Sequence, residues 1–518
     1  MATRGATRPS EEAHRPETTV RLARDLTLAD ATLLGIGAIM GGGIFVLPGI
    51  AAGVAGPGLV MALVLNAFVT IPTLLVYAEL ASGVHDAGGG YLWVRDAFGQ
   101  GWGFLGGWMS WFSHAVACAV YSLASASYLI WLLERYDLVP ASFEGGVLVK
   151  LAAVGITTLF VFLNYVGVKK AARAENFVTV VVLGTLAAFL IFGFLAIGRH
   201  PEGLGQLHLG DAGAMLPNGF LGVFLAMGLM FIAFEGYEVV AQASEEVKRP
   251  KRNVPLACIL SIVIMSPLLV MVAVVALAAI QVPGDSWVWL ADHKELALVE
   301  AAGQFVPFGI GAVLILFGAM LSNVTALNST IYSSSRVSFA MGRDRELPAV
   351  FAKVHPRTHT PAASILLSGL LIAVMAAALP IQDVAAAADM MFLLLFTLVN
   401  ASYIKLRRTK RDVDFGFRAP FFPWLPLFGL VTKFALGVAL FLYSPIAAAV
   451  GVAWVAVGAA VNHAYVKRHG PAPEPRSSVA FEVETAQRKG YHIVLPVANP
   501  ASAGPLAGIA RDLARAKG

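Results

Sequence analysis

This sequence predicts an all-α polytopic membrane fold, on three observations. The composition is 58% hydrophobic and only 13% charged over 518 residues, with a mean hydropathy of +0.73, too apolar and too poor in charge for a soluble globular chain. Apolar stretches matching a bilayer core about 30 Å thick, about 20 residues each, recur along most of the length. Two of those stretches are interrupted at membrane depth: GIGAIMGGGIFVLPG by Gly41, Gly42 and Gly43, and MFIAFEGYEVV by Glu235, Gly236 and Glu238.

Taken in order, the apolar stretches give twelve spans, at 28–50, 57–80, 104–133, 147–165, 176–198, 219–244, 255–280, 304–332, 362–380, 386–404, 424–443 and 446–466. Residues 1–27 are polar and arginine-bearing, with no apolar core or cleavage-type site, and read as a tail rather than a signal peptide. The organisation is then a tail over 1–27, a twelve-helix domain over 28–466, a linker over 467–490 that includes PAPEPRSS, and a partial α/β fragment over 491–518. With the N-terminus in the cytoplasm, only Arg135, Arg199 and Lys294 of the 37 Lys and Arg lie outside, with Lys150 and Lys433 inside spans. The positive-inside rule therefore puts both termini in the cytoplasm. The net charge of +5 is explained by basic orienting loops and requires no nucleic-acid partner. Cys118 and Cys258 both fall in spans, which fits small buried hydrophobes and neither a disulfide framework nor a multi-cysteine metal site.

The first span runs outward and the sixth, five spans later, runs inward, so the two interrupted segments have opposite direction. That is the arrangement of a five-plus-five inverted repeat, spans 1–5 against spans 6–10, with two helices appended. The loops on the cytoplasmic side are short: ASGVHDAGGGYLWVRDAFG, GVKKAARAEN, EEVKRPKRNVP and RVSFAMGRDRELP. Glu245 and Glu246 beside Lys248, Arg249, Lys251 and Arg252 fit either solvated loop ends or a gating ion-pair network, and the sequence leaves that choice open.

Glycine in a helix interior costs about 1 kcal/mol relative to alanine, so three in a row predict an unwound stretch. Where a helix breaks in mid-membrane, one half ends in free carbonyls and the other begins with free amides at the positive end of its dipole. Such a break can hold both ends of a zwitterion. The amides of Gly42, Gly43 and Ile44 are candidates for a carboxylate, and the carbonyls of Ile39 and Met40 for an ammonium. The alternative is that GGG is a close-packing surface for a neighbouring helix. At the second break Glu235 and Glu238 flank Gly236, at a depth where a carboxylate costs at least about 2.5 kcal/mol unless it faces protein or a water-filled cavity. Phe231, Phe234 and Tyr237 supply aromatic walls. Paired interruptions of this kind point to a transporter's binding site.

GIGAIMGGGIFVLPG, AGGGYLWVRDAFG, FEGYEVVAQASEEVKRPKRNVP and SSSRVSFAMGRDRELP, in that order, resemble the amino acid-polyamine-organocation permease superfamily, and within it permeases related to the cationic amino acid transporters. The resemblance covers spans 1 to 10 and implies a leucine-transporter-type inverted repeat. It implies that Gly41, Gly42 and Gly43 cradle the substrate carboxylate, that Ile39 lends a carbonyl to the α-ammonium, and that Ile232 and Glu235 lend theirs. Phe234 matches an aromatic that covers the substrate, and Glu238 a carboxylate implicated in gating or proton sensing. Two departures stand out. Many members carry serine where Gly42 stands, and the span-5 lysine of some proton-coupled members has no counterpart, because residues 176–198 contain no lysine.

The coupling ion, H⁺ or Na⁺, therefore stays open, and no cofactor is implied. Span 8 reads MLSNVTALNSTIYSSSR, rich in oxygen ligands of the kind a hard cation takes, with Thr325 as a weak Na⁺ candidate. Interhelical hydrogen bonding explains the same residues. His114 in span 3 fits either a proton relay or a satisfied packing histidine. Burial favours the neutral form of a carboxyl, so Glu238 is the expected proton-exchanging group, the alternative being that it hydrogen-bonds neighbouring backbone to hold the broken helix. At the C-terminus, YHIVLPVANP reads as a strand and PLAGIARDLARAKG as an amphipathic helix, and the unit resembles the opening of a universal stress protein domain without its glycine-rich phosphate loop.

The expectation is a permease of the cytoplasmic membrane that moves an amino acid by symport or exchange. A transporter-fold amino acid sensor that signals through its tail, or a carrier of polyamines, are the alternatives. An enzyme is excluded, because no nucleophile–base pair, metal cluster or phosphate-loop motif occurs.

Overall fold

The computed structural model describes residues 25–83, 89–138, 145–167, 172–358, 360–409 and 415–469, all within one compact unit. Most of residues 1–27, most of the linker and the strand–helix fragment at 491–518 lie outside the described residues. Among the described residues the chain is helical, with one isolated parallel bridge, Leu26 to Val247. Eleven helices among the described residues are long and apolar enough to cross a membrane, and Ala362–Ala378 is a shorter apolar helix. Helix is the local answer here because lipid supplies no hydrogen bonds, so each segment must satisfy its own backbone.

The first span is α1 (Leu28–Phe45), opened by a capping box between Thr27 and Asp30, and it runs through Val46 into α2 (Leu47–Ala55). Next come α3 (Leu59–Gly83), the short α4 (Gly90–Phe98), α5 (Gln100–Arg135), α6 (Gly145–Val166) and α7 (Ala172–Arg199). After the small α8 (Ala212–Met215), the second interrupted segment consists of α9 (Gly219–Leu229) and α10 (Gly236–Gln242). Then follow α11 (Pro250–Ala278), α12 (Ser286–His293), α13 (Ala297–Phe305), α14 (Gly311–Arg343), α15 (Ala362–Ala378), α16 (Ile381–Thr409), α17 (Trp424–Tyr443) and α18 (Pro445–His469). Of the long helices, α5 and α16 are the most enclosed, which is why they can carry His114 and Asp389. By contrast α6 and α18 turn Leu151, Leu159, Phe162, Val452 and Val457 outward, as lipid contact requires.

The eighth span departs from the range 304–332. A turn with Phe308 at φ 65° separates α13 from α14, and α14 then continues to Arg343 through the stretch read as the loop RVSFAMGRDRELP. The serines there look polar to a hydropathy window, yet they are buried and their hydroxyls donate within the protein. Ser335 donates to the Tyr332 carbonyl at 2.9 Å, and Ser334 to Ser368 Oγ at 3.1 Å.

Both interruptions occur, each narrower or earlier than expected. In α1 the non-helical dihedrals are confined to Gly41 (φ −39°, ψ −143°), so the three-residue unwound stretch shrinks to one residue. The second break starts at Met230 and forms a 3₁₀ turn over Phe231–Phe234, so it lies mostly before the EGYE sequence. The two segments run in opposite directions. Leu26 bridges Val247 at one end, while Asn218 donates to the Val54 carbonyl at 2.9 Å at the other. Where they cross, backbone meets backbone: a Cβ on Gly43 would sit 2.5 Å from Ala233 Cα, and one on Gly236 would sit 2.2 Å from the Gly35 carbonyl oxygen. Glycine is required at both positions by this approach.

The end of the bundle that holds the start of α1 is laced by side chains from the motifs AGGGYLWVRDAFG, FEGYEVVAQASEEVKRPKRNVP and SSSRVSFAMGRDRELP. Arg95 and Tyr91 of α4 both bind Asp344, which follows α14. Arg336 of α14 pairs with Glu246 at 3.3 Å. Glu246 thus pairs with another helix, through a residue outside the cluster of Lys248, Arg249, Lys251 and Arg252. Glu79, 0% exposed, accepts from Tyr403 and from the Ala419 amide at 2.6 Å and lies 3.4 Å from Arg407.

Two predictions follow from this packing. Gly43→Ala must push Ala233 aside, and overpacking of this kind costs about 1–3 kcal/mol, whereas Gly184→Ala on α7, with nothing near its Cβ, is expected to be neutral or slightly stabilising. Melting curves of the two variants in detergent check this, and equal melting temperatures would refute the crossing. The second concerns Glu346, just past α14, whose carboxyl burial pushes up to about 7 against the pull of the Arg95 guanidinium. Between its ordinary value of 4.5 and about 7 the folded chain holds a proton that the unfolded chain has released. Its contribution to stability is therefore complete below the lower value and lost as pH rises through the upper one. Apparent melting temperature measured from about pH 5 to about pH 8 should fall more steeply for the wild type than for Glu346→Gln.

Candidate functional site

The crossing of the two breaks brings together residues far apart in the chain. Beside it lies a cavity of about 20 Å³, room for about one water molecule. Ala38 lines it from α1, His114, Ala117 and Tyr121 from α5, and Thr330 and Phe392 from α14 and α16. The second interrupted segment contributes Ile232, Glu235, Gly236, Glu238 and Val239.

Of the residues singled out in the first interrupted segment, Ile39, Met40, Gly41, Gly42, Gly43 and Ile44 are all buried at the crossing and none lines the cavity. A Cβ on Gly41 would lie 2.8 Å from Ala326 Cβ, and one on Gly42 would lie 3.0 Å from the Tyr121 ring. In this conformation Tyr121 and Ala233 cover these glycines.

In the second segment, Ile232, Glu235, Gly236 and Glu238 reach the cavity. Phe231 and Phe234 do not; both are 0% exposed. Phe231 stands 5.7 Å from Phe396 of α16, centroid to centroid, and Tyr237 lies 5.2 Å from Tyr77 of α3, so these rings belong to an aromatic core. The 3₁₀ turn aims Phe231 away from the cavity, which a helical-wheel reading cannot foresee. One Glu235 oxygen and both Glu238 oxygens are buried without a hydrogen-bond partner. Carboxylates in that condition are expensive and ask for a proton, a cation or a ligand.

His114 is fully engaged. Its Nδ1 lies 2.7 Å from the Ser110 carbonyl, which can only accept, so Nδ1 carries the proton and Nε2 faces Gln242 Nε2 at 3.4 Å. His114 is thus hydrogen-bonded at the cavity wall, an arrangement that fits the packing reading. Thr325 donates to the Leu321 carbonyl one turn back, at 2.8 Å, and Thr330 is the residue of its stretch that lines the cavity. Among the described residues no group of three or more His, Cys, Asp or Glu is placed to hold a metal ion. Cys118 and Cys258 are buried, with their thiols aimed at the Leu327 and Tyr237 carbonyls.

Sequence reasoning missed Asp389 and the role of Lys433. Asp389 of α16 is 0% exposed, and neither of its oxygens makes a hydrogen bond. Lys433 of α17 is also 0% exposed, its Nζ makes no hydrogen bond, and it stands 4.0 Å from the centroid of Phe231. Both face Glu235. The one available signal was charge in an apolar span, an aspartate in span 10 and a lysine in span 11.

Comparison with known proteins agrees with this architecture. A family model described as amino acid permease matches residues 26–461. The branched-chain amino acid permease of Bacillus subtilis (strain 168) is 31% identical over 457 residues, covering 86% of this chain and 94% of the relative. The methylthioribose transporter of the same organism is 31% identical over 459 residues, with the same coverage of both chains. Human cationic amino acid transporter 4 is 30% identical over 398 residues, covering 75% of this chain and 60% of the relative. The match takes in both breaks and the motifs that meet at one end of the bundle, so this chain belongs to the amino acid permease family and is a multi-pass membrane transporter rather than an enzyme.

Proposed function

We propose that the chain is a secondary active transporter that carries an amino acid across the cytoplasmic membrane by alternating access, as symporter or exchanger. The observation that carries this reading is the crossing of two oppositely directed, interrupted helices beside a cavity lined by unpartnered carboxylates. A cavity that admits about one water is too small for any amino acid, so the two segments must part for substrate to enter. Opposite direction at the crossing supports the inverted repeat of spans 1–5 and 6–10 within a twelve-span chain, and the basic loops support cytoplasmic termini.

In this reading the backbone around Gly41, Gly42, Gly43 and Ile44 receives the substrate carboxylate once Tyr121 and Ala233 withdraw. The Ile39, Met40, Ile232 and Glu235 carbonyls receive the ammonium. Glu238, in the cavity wall, is assigned to gating. Protons are favoured over Na⁺ as the coupling ion, because Glu235 and Glu238, with buried oxygens that have no partner, line the cavity whereas Thr325 does not. The substrate side chain is open, since relatives of equal identity are named for branched-chain amino acids and for methylthioribose, and methylthioribose carries neither carboxylate nor ammonium.

Proteoliposomes preloaded with unlabelled leucine or arginine test the reading by counterflow. Labelled amino acid should accumulate transiently, and the methyl ester of the same amino acid should compete about 10–100-fold more weakly, the worth of losing a charge-assisted contact of about 1.5–3 kcal/mol. Binding without exchange would leave the sensor. Equal competition by the ester, or by methylthioribose, would remove the carboxylate cradle.

A further inference from the structure

We infer that Lys433, Glu235 and Asp389 form one proton-exchanging site that couples transport to a proton gradient, with Lys433 as the carrier. The inference rests on the transport reading above and names its coupling group. Three features on three separate elements carry it. Lys433 comes from α17, Asp389 from α16 and Glu235 from the end of the 3₁₀ turn, and all three are enclosed, with exposures of 0%, 0% and 8%. The Lys433 Nζ, both Asp389 oxygens and one Glu235 oxygen complete no hydrogen bond. The ammonium instead lies over the Phe231 ring at 4.0 Å.

Ion groups withdrawn from water and left without hydrogen bonds cannot all remain charged at modest cost, so the occupancy of the shared protons is set by small changes in geometry. The surroundings offer few competitors. Glu238 faces Glu235 from α10, Tyr237 lies on the same segment, and Tyr121 faces Glu235 and Asp389 from α5. Tyr77 of α3 faces Glu235 and Glu238, and His114 of α5 is a cavity-lining titratable group already hydrogen-bonded through Nδ1.

Geometry then links proton to conformation. Phe231 opens the 3₁₀ turn of the second break and Glu235 follows that turn, while Lys433 and Asp389 sit on continuous helices. Parting of the two interrupted segments moves Phe231 and Glu235 relative to Lys433. With the turn in place, the Lys433 amine holds a proton against the Glu235 carboxylate. As the turn begins to move, the Lys433 ammonium gives its proton to the Glu235 carboxylate, and the displaced, protonated Glu235 then releases it to water in the cavity. One proton crosses per cycle, with no other bond made or broken. Na⁺ is not needed.

The test uses the full chain in proteoliposomes with leucine or arginine, whichever gives counterflow. In the wild type, an imposed gradient of about one pH unit should concentrate the probe up to about tenfold without Na⁺, the worth of one proton per substrate. Lys433→Met, and Lys433→Arg whose guanidinium does not release its proton, should retain counterflow and lose that concentration, ending at equilibration. Wild-type vesicles loaded with a pH-sensitive dye should acidify as the probe enters, a readout that needs no variant. Undiminished concentration in either variant, no acidification in the wild type, or loss of coupling in Glu238→Gln with Lys433→Met unaffected would overturn the assignment. Absence of counterflow in the wild type would instead overturn the transport reading on which it rests.

Discussion

The architecture turns on one constraint: inside a bilayer, a backbone group that leaves its helix must be covered by protein. Here two helices are interrupted, and each is covered by the other. Gly43 lies against Ala233 and Gly236 against the Gly35 carbonyl, so neither interruption meets lipid. Tyr121 of α5 and Ala326 of α14 close the remaining sides of the first break. The most enclosed helices therefore surround the place where the backbone is least regular. A side chain at either glycine would open the crossing and expose unpaired amides and carbonyls.

The same enclosure explains where charge is found. Lys433, Asp389, Glu235 and Glu238 are all buried, and nothing in a lipid-facing position would tolerate them. At the end of the bundle that holds the start of α1, by contrast, charges are paired across elements: Arg95 with Asp344, Arg336 with Glu246, and Arg407 with Glu79. These pairs join the segments that follow spans 2, 6, 8 and 10. An assembly tied at that end and loosely satisfied in its middle has its unmet bonding capacity at the crossing, where movement can redistribute it.

Much of the site was legible in the chain, for physical reasons that can be named. Gly41 to Gly43 announce a break because glycine weakens a helix wherever it occurs, and Glu235 and Glu238 announce protein or water around them because lipid rejects carboxylates. Orientation of side chains was less legible. Phe231, Phe234 and Tyr237 read as aromatic walls of the break, but a 3₁₀ turn rotates successive residues differently from an α-helix, and Phe231 and Phe234 are buried outside the cavity lining in this conformation. The extent of α14 was misread because hydropathy counts a buried serine as polar even when its hydroxyl is satisfied by a carbonyl of its own helix.

By itself the sequence determined the class of protein, the positions of most spans and the places where two of them break, since each depends on local composition measured against a bilayer of fixed thickness. Only the tertiary structure decided which groups those breaks meet. That Lys433 of α17 stands over Phe231, that Gly236 meets the Gly35 carbonyl, and that Glu246 pairs with Arg336 of α14 are facts of packing between segments distant in sequence. The angle and depth at which two helices cross depend on the shapes of all the side chains between them, and no local pattern in the chain encodes that sum.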